Sequence, residues 1–172
     1  LLKNLLPEAQ LHVFSGADNP IANFIATKQL HYDLFHLSLK TSQDIGLNGE
    51  FNLYGLHTDS LRLDTITIKA QQDTACFQIH NSIKALTNKY QEGFNILLDG
   101  QIESTSGKAA IQYLNSNEEK GVDIGLQAFL RPKGISVHLS PITPTLLYRT
   151  FYANKNNFIF IGDKGSIQAD LE

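Results

Sequence analysis

The chain has 172 residues, 42% of them hydrophobic, and a formal net charge of −3 from 14 Lys and Arg against 17 Asp and Glu. That is enough apolar material for one substantial domain or an elongated sheet and argues against disorder throughout; the small negative charge gives no electrostatic footprint for nucleic acid or an anionic membrane surface. Cys76 is the only cysteine, which excludes an internal disulfide, a cysteine zinc cluster and a CxxC redox pair.

No stretch is long and apolar enough to span a bilayer, and no basic segment precedes a signal-like apolar run. The chain begins at Leu1, contains no methionine and closes on the strand-like "GSIQADLE". It therefore reads as an excised piece of a longer polypeptide, with targeting and anchoring signals expected outside it.

Taken in chain order, the first element marked is a short helix at "DNPIANFIATKQL". Asn19 can cap it, Pro20 suits its first turn, and Ile21, Phe24, Ile25 and Lys28 follow helical spacing. Its apolar stripe is expected to pack against a sheet or close one end of it.

From there nearly everything alternates with period two. In "HYDLFHLSLKT", Phe35, Leu37 and Leu39 oppose His36, Ser38 and Lys40, and in "GLNGEFNLYG", Phe51 and Leu53 oppose Glu50 and Asn52. The next segment, "DSLRLDTITIKAQQDT", breaks phase: Leu61 and Leu63 share one face while Ile66 and Ile68 share the other. One extra residue near Asp64-Thr65, a β-bulge, would return all four to one side. Asp59 and Asp64 are then expected to satisfy local backbone groups, since a bare Asp pair without further ligands is a weak metal motif.

"ACFQIHNSI" follows, with Cys76 expected as a small core residue. In "GFNILLDGQIES", Phe94, Ile96, Leu98 and Ile102 oppose Asn95, Asp99, Gln101 and Glu103. "GKAAIQYLN" aligns Ala109, Ile111 and Tyr113; "GVDIGLQAFL" aligns Val122, Ile124, Leu126, Ala128 and Leu130; "GISVHLS" aligns Ile135, Val137 and Leu139. The turns "TSGK", "NSNEEKG" and "RPKG" leave little room for parallel crossovers, so the sheet is expected to be antiparallel. Pro141 and Pro144 exclude much of "SPITPTLLYRTFYANKNN" from a central strand, after which strands resume in "FIFIGDKGSIQADL" around a "GDKG" turn.

Residues that carry chemistry are scarce. His12, His31, His36, His57, His80 and His138 form no HxxxH or HxH pair, and most fall on the polar phase of a strand. There is no GxSxG, P-loop, GxGxxG or HExxH, and Glu118-Glu119 lies in a polar turn. Aromatics are not interleaved with Lys and Arg, so a nucleic-acid stacking platform has poor support. No catalytic residue, metal ligand or cofactor is assigned. A half-apolar sheet must still cover its apolar face, by a second sheet, by closing into a barrel, or by folding into a trough that binds something greasy.

The ordered series "NGEFNLYGLHTDSLRLDTITIKAQQDT", "FNILLDGQIESTSGKAAIQYLN", "GVDIGLQAFLRPKGISVHLSP" and "NNFIFIGDKGSIQADL" resembles a middle portion of the TamB-like translocation and assembly module proteins of the AsmA-like superfamily. The likeness extends to "LLPEAQLHVFSGADNPIANFIA" and so covers residues 1–172 as one β-rich segment; "DSLRLDTI" is its most distinctive part. The resemblance implies an all-β fold, an elongated antiparallel sheet curled lengthwise into a groove (a β-taco) with one short helix near the N-terminus. It implies a large, mostly periplasmic protein of the Gram-negative envelope, anchored to the inner membrane by a segment absent from this chain. The function implied is phospholipid transport between the membranes and outer-membrane protein assembly with a TamA/BamA-type partner engaged elsewhere in the protein, with no catalysis. Phospholipid acyl chains would then lie against Phe94, Ile96, Leu98, Val122, Ile124, Leu126, Val137 and Leu139. Cut strand edges could pair with a second copy. The competing expectation is a β-sandwich interaction module of a secreted or surface protein, whose apolar faces bury one another.

Overall fold

Alternating apolar and polar side chains, separated by short turns, favour a meander in which each strand pairs with the next. A computed structural model describes residues 7–73, 75–163 and 165–171 and has that topology. The strands are β1 (Ala9–Gly16), β2 (Leu34–Ser42), β3 (Gly46–His57), β4 (Arg62–Gln72), β5 (Cys76–Ala85), β6 (Phe94–Glu103), β7 (Ser106–Asn115), β8 (Lys120–Arg131), β9 (Gly134–Leu146), β10 (Arg149–Thr150), β11 (Phe158–Gly162) and β12 (Ile167–Asp170), and one helix, α1 (Pro20–Ala26), joins β1 to β2. All twelve strands form one antiparallel sheet, ordered as in the sequence, with β10 paired to the outer half of β9. The fold is therefore all-β, a single elongated sheet curled into a groove and not closed, with one short helix near the N-terminus. Neither of the other ways of covering an apolar face is taken: there is no second sheet in the described residues, and β1 and β12 end the path unpaired with each other.

Three expectations need correction. The helix forms where its cap predicts, with the Asn19 side chain accepting from the amides of Ile21 at 2.8 Å and Ala22 at 3.1 Å. Its apolar stripe, however, does not pack into a core: only Ala22 is buried, while Phe24 is 68% and Ile21 48% exposed. Seven residues make two turns, too short to reach across the sheet.

No extra residue is inserted at Asp64-Thr65. Tyr54 faces Thr65 and Leu56 faces Leu63 in one unchanged register, leaving Gly55 opposite Asp64 outside the ladder. The irregularity is carried across the pair by Gly55, at φ +64°, where a Cβ would fall 1.9 Å from Asp33 Oδ2. The bulges lie elsewhere. Gly121 is the extra residue of β8 against β7, and β9 is bulged against β8: Asp123 faces Thr145 and Gly125 faces Ser140, so two steps along β8 answer five along β9.

That second bulge also corrects the reading of the proline-rich segment, which belongs to a strand after all. Pro141 and Pro144, which lack amide hydrogens, occupy the stretch of β9 that makes no ladder with β8. β1 is an addition to the strands marked by the sequence, where Phe14, 72% exposed, disturbs the alternation. The "GDKG" turn includes Lys164, which lies outside the described residues.

Candidate functional site

Strand register fixes which side chains share a face, because directly opposed residues in an antiparallel pair project to the same side. One row runs across eight strands as Leu39, Gly49, Ala70, Ile79, Gly100, Ala109, Leu126 and Leu139. A parallel row runs Leu37, Phe51, Ile68, Asn81, Leu98, Ile111 and Ile124, and a third runs Phe35, Leu53, Ile66, Ile83, Ile96, Tyr113, Val122 and Leu146. No charged residue occurs in any of the three. The charged partners in the same strands, such as Glu50 with Lys69 and His80 with Asp99, belong to the opposite face.

All eight residues expected to line a groove fall on this one face. Phe94, Ile96 and Leu98 lie on β6, Val122, Ile124 and Leu126 on β8, and Val137 and Leu139 on β9. Leu98, Ile124 and Leu126 border a hollow of about 530 Å³, floored by Gly100 and Ala109. Val137 borders a neighbouring hollow of about 420 Å³ with Phe77, Ile102 and Ala128. Phe94 stacks on Tyr113 with ring centroids 6.2 Å apart. Phe77, Ile79, Ile68 and Ile111 belong to the same surface, although the sequence did not place them in the groove: alternation gives the phase of each strand but not how far the aligned phases extend.

This face is not sealed. Leu126 is 48%, Ile68 43%, Ile111 39% and Ile102 56% exposed, and no large side chain among the described residues is fully buried. In a packed core such residues would be nearly inaccessible, so apolar surface worth roughly 25 cal/mol per Å² is left uncovered. Two polar groups interrupt it. The Oδ1 of Asn81 and both amide atoms of Gln72 are buried without a hydrogen-bond partner.

The opposite face carries a larger hollow of about 780 Å³, bordered by Gln78, His80, Asp99, Gln101, Lys108 and Gln112. Its polar groups are largely engaged with one another: His80 with Asp99, Gln112 Nε2 with Asp123 Oδ1 at 3.1 Å, and Lys120 Nζ with Asp123 Oδ2 at 2.6 Å. Burial raises the Asp123 pKa, but the hydrogen bonds from Lys120 and Gln112 and the Lys120 charge outweigh it, holding the carboxyl below its usual 3.8. We therefore place the candidate site on the apolar face, despite the larger volume behind it.

Of the two carboxylates singled out in the sequence, Asp64 has structural partners. Asp64 Oδ2 accepts the Leu86 amide at 2.6 Å and Oδ1 accepts Arg62 Nε at 3.3 Å, while Gln91 brackets the Arg62 backbone with bonds of 3.0 and 2.7 Å. Together these pin the β5–β6 loop to the start of β4. Asp59 lies on the exposed turn before it, and there it is Thr58 Oγ1, not Asp59, that accepts the Ser60 and Leu61 amides, at 3.4 and 3.2 Å. Cys76 is buried, with Gln78 Nε2 donating to its Sγ at 3.3 Å. His138 holds Asn157 O at 2.7 Å and Ser136 Oγ at 2.8 Å, and among the described residues no three His, Cys, Asp or Glu side chains are grouped to hold a metal. Among the described residues no helix is long and apolar enough to cross a membrane. Comparison with known protein families, curated proteins and solved structures finds no match to this chain.

Proposed function

We propose that the chain is a lipid-conducting segment of a TamB-like envelope protein, in which phospholipid acyl chains lie along the uncharged face of the sheet. The carrying observation is that face: apolar rows continuous over as many as eight strands, free of charge, hollowed at the centre, and left 36% exposed at Leu98 and 48% at Leu126. Each methylene moved from water onto such a surface contributes about 0.8 kcal/mol, so a chain of many methylenes binds without a dedicated headgroup site. Selectivity among headgroups is then weak, and shallow contacts let the lipid move along.

In this reading the protein is a conduit and not an enzyme, needs no cofactor, and works in the periplasm between an inner-membrane anchor and an outer-membrane TamA/BamA-type partner, both engaged by other parts of the polypeptide. The sandwich-module reading is less favoured, because it has the apolar surfaces covered by each other. A phospholipid with an environment-sensitive fluorophore on its acyl chain tests the conduit directly. Saturable binding that weakens several-fold in Leu98→Asn and Leu126→Asn, but not in Gln101→Asn on the opposite face, is expected. Equal binding by all three variants would overturn the reading.

A further inference from the structure

The most exposed large apolar side chain in the described residues is Leu147, at 82%, on the two-residue turn between β9 and β10. Arg149 faces Leu146 and Thr150 faces Thr145, and both turn residues are left-handed, Leu147 at φ 48° and Tyr148 at φ 63°. Hairpin turns of this kind favour Asn-Gly, because bulky residues seldom adopt positive φ. Here the turn instead projects a leucine. Beside it in the turn Tyr148 is 54% and Leu146 42% exposed, and further back along the hairpin Phe151 is 51% and Tyr152 72% exposed.

The hairpin sits in a stretch of the chain that carries no acid. Between Asp123 and Asp163 there is no acidic residue, while Arg131, Lys133, Arg149 and Lys155 are basic; all the acids of this net-negative chain lie outside that stretch. The adjoining β7–β8 turn carries Glu118 and Glu119, so the tip itself is close to neutral. An apolar apex, flanking tyrosines whose rings carry a polar end, and a neighbouring arginine match the layered chemistry of a bilayer surface, hydrocarbon first and headgroups behind. The hairpin is firmly held: the Tyr148 amide donates to Gly121 O at 3.1 Å, and the rings of Tyr148 and Tyr113 both pack where a Gly121 Cβ would be.

We propose that the β9–β10 hairpin is a membrane-docking tip that inserts Leu147 into the surface of a phospholipid bilayer. Leu146, at the base of the turn, faces Val122 on the apolar face, so docking brings one end of that face to the lipid. The docking contact is separate from the groove and does not require lipid to enter it.

The chain contains no tryptophan, so Leu147→Trp provides a single reporter. With phosphatidylcholine vesicles, with or without phosphatidylglycerol, its emission is expected to shift to the blue and to be quenched by lipids brominated in the acyl chain, while a Gln127→Trp reporter on the polar face does neither. Leu147→Asn, which suits the left-handed turn, is expected to keep or raise the thermal midpoint and to weaken vesicle binding at least about tenfold. An unshifted Leu147→Trp, or unchanged binding by Leu147→Asn, overturns the proposal. A dimer in the absence of vesicles that Leu147→Asn dissociates, with no vesicle binding, overturns it in favour of a second copy as the occupant. Adding Leu126→Asn separates the two lipid contacts: the Leu147→Trp signal is expected to persist, and its loss would show that vesicles are held by the groove alone.

Discussion

Asp123 shows how a single carboxylate ties the polar face together, and it makes a prediction with a definite sign. Its pKa is held below 3.8 in the folded chain by Lys120 and Gln112, against the upward push of burial. A depressed folded value contributes stability that is present above the unfolded pKa and is lost as pH falls through the folded one. Asp123→Asn should therefore unfold at a lower temperature than the parent at neutral pH, and the gap should close as the pH is taken down from about 4; a gap independent of pH would show that the carboxylate charge is not what is used. Residue roles were only partly legible in the sequence. The Asp-hydroxyl-aliphatic pattern of "DSLRLDTI" pointed to structural punctuation, and Asp64 does satisfy a backbone amide, but that amide belongs to Leu86, 22 positions away. No local spacing could have named it. The glycine that absorbs the irregularity is on the facing strand, at Gly55, where only the third dimension places it opposite Asp64.

At the level of elements, period-two alternation made most of the strands readable, because each must present one apolar and one polar face whatever its neighbours. What alternation cannot see is an element whose apolar residues stay in water. The stripe on α1 has the spacing of a packed helix, yet most of it stays in water, with Phe24 68% and Ile21 48% exposed. Phe24→Ala should accordingly change unfolding free energy by less than about 0.5 kcal/mol, whereas a core phenylalanine would cost about 3–5 kcal/mol. A loss in the latter range on chemical denaturation would mean that the helix is docked. The prolines of β9 misled in the opposite direction. They rule out ladder hydrogen bonds at their own nitrogens, and the strand accommodates them by bulging there while pairing with β8 on either side.

For the whole molecule, the sequence left three ways to cover the apolar phase, and composition could not choose among them because each requires the same alternation. The sheet remains open, and its uncharged rows stay partly accessible over β2 to β9. The extent of the candidate site was legible only in part: the eight residues marked on β6, β8 and β9 share the face, but its continuation through Phe51, Ile68 and Ile79 depends on the registers of β3, β4 and β5. An open apolar face of this size is expected to be used. The central claim, that acyl chains occupy it, is tested most directly by placing a photo-crosslinking amino acid at Ile124 and, separately, at Gln127, in the protein as it is expressed in a bacterial envelope. The two positions lie on the same strand and project to opposite faces. Phospholipid adducts at Ile124 and none at Gln127 are the predicted result; a folded protein that captures lipid at neither position, or equally at both, would contradict the account.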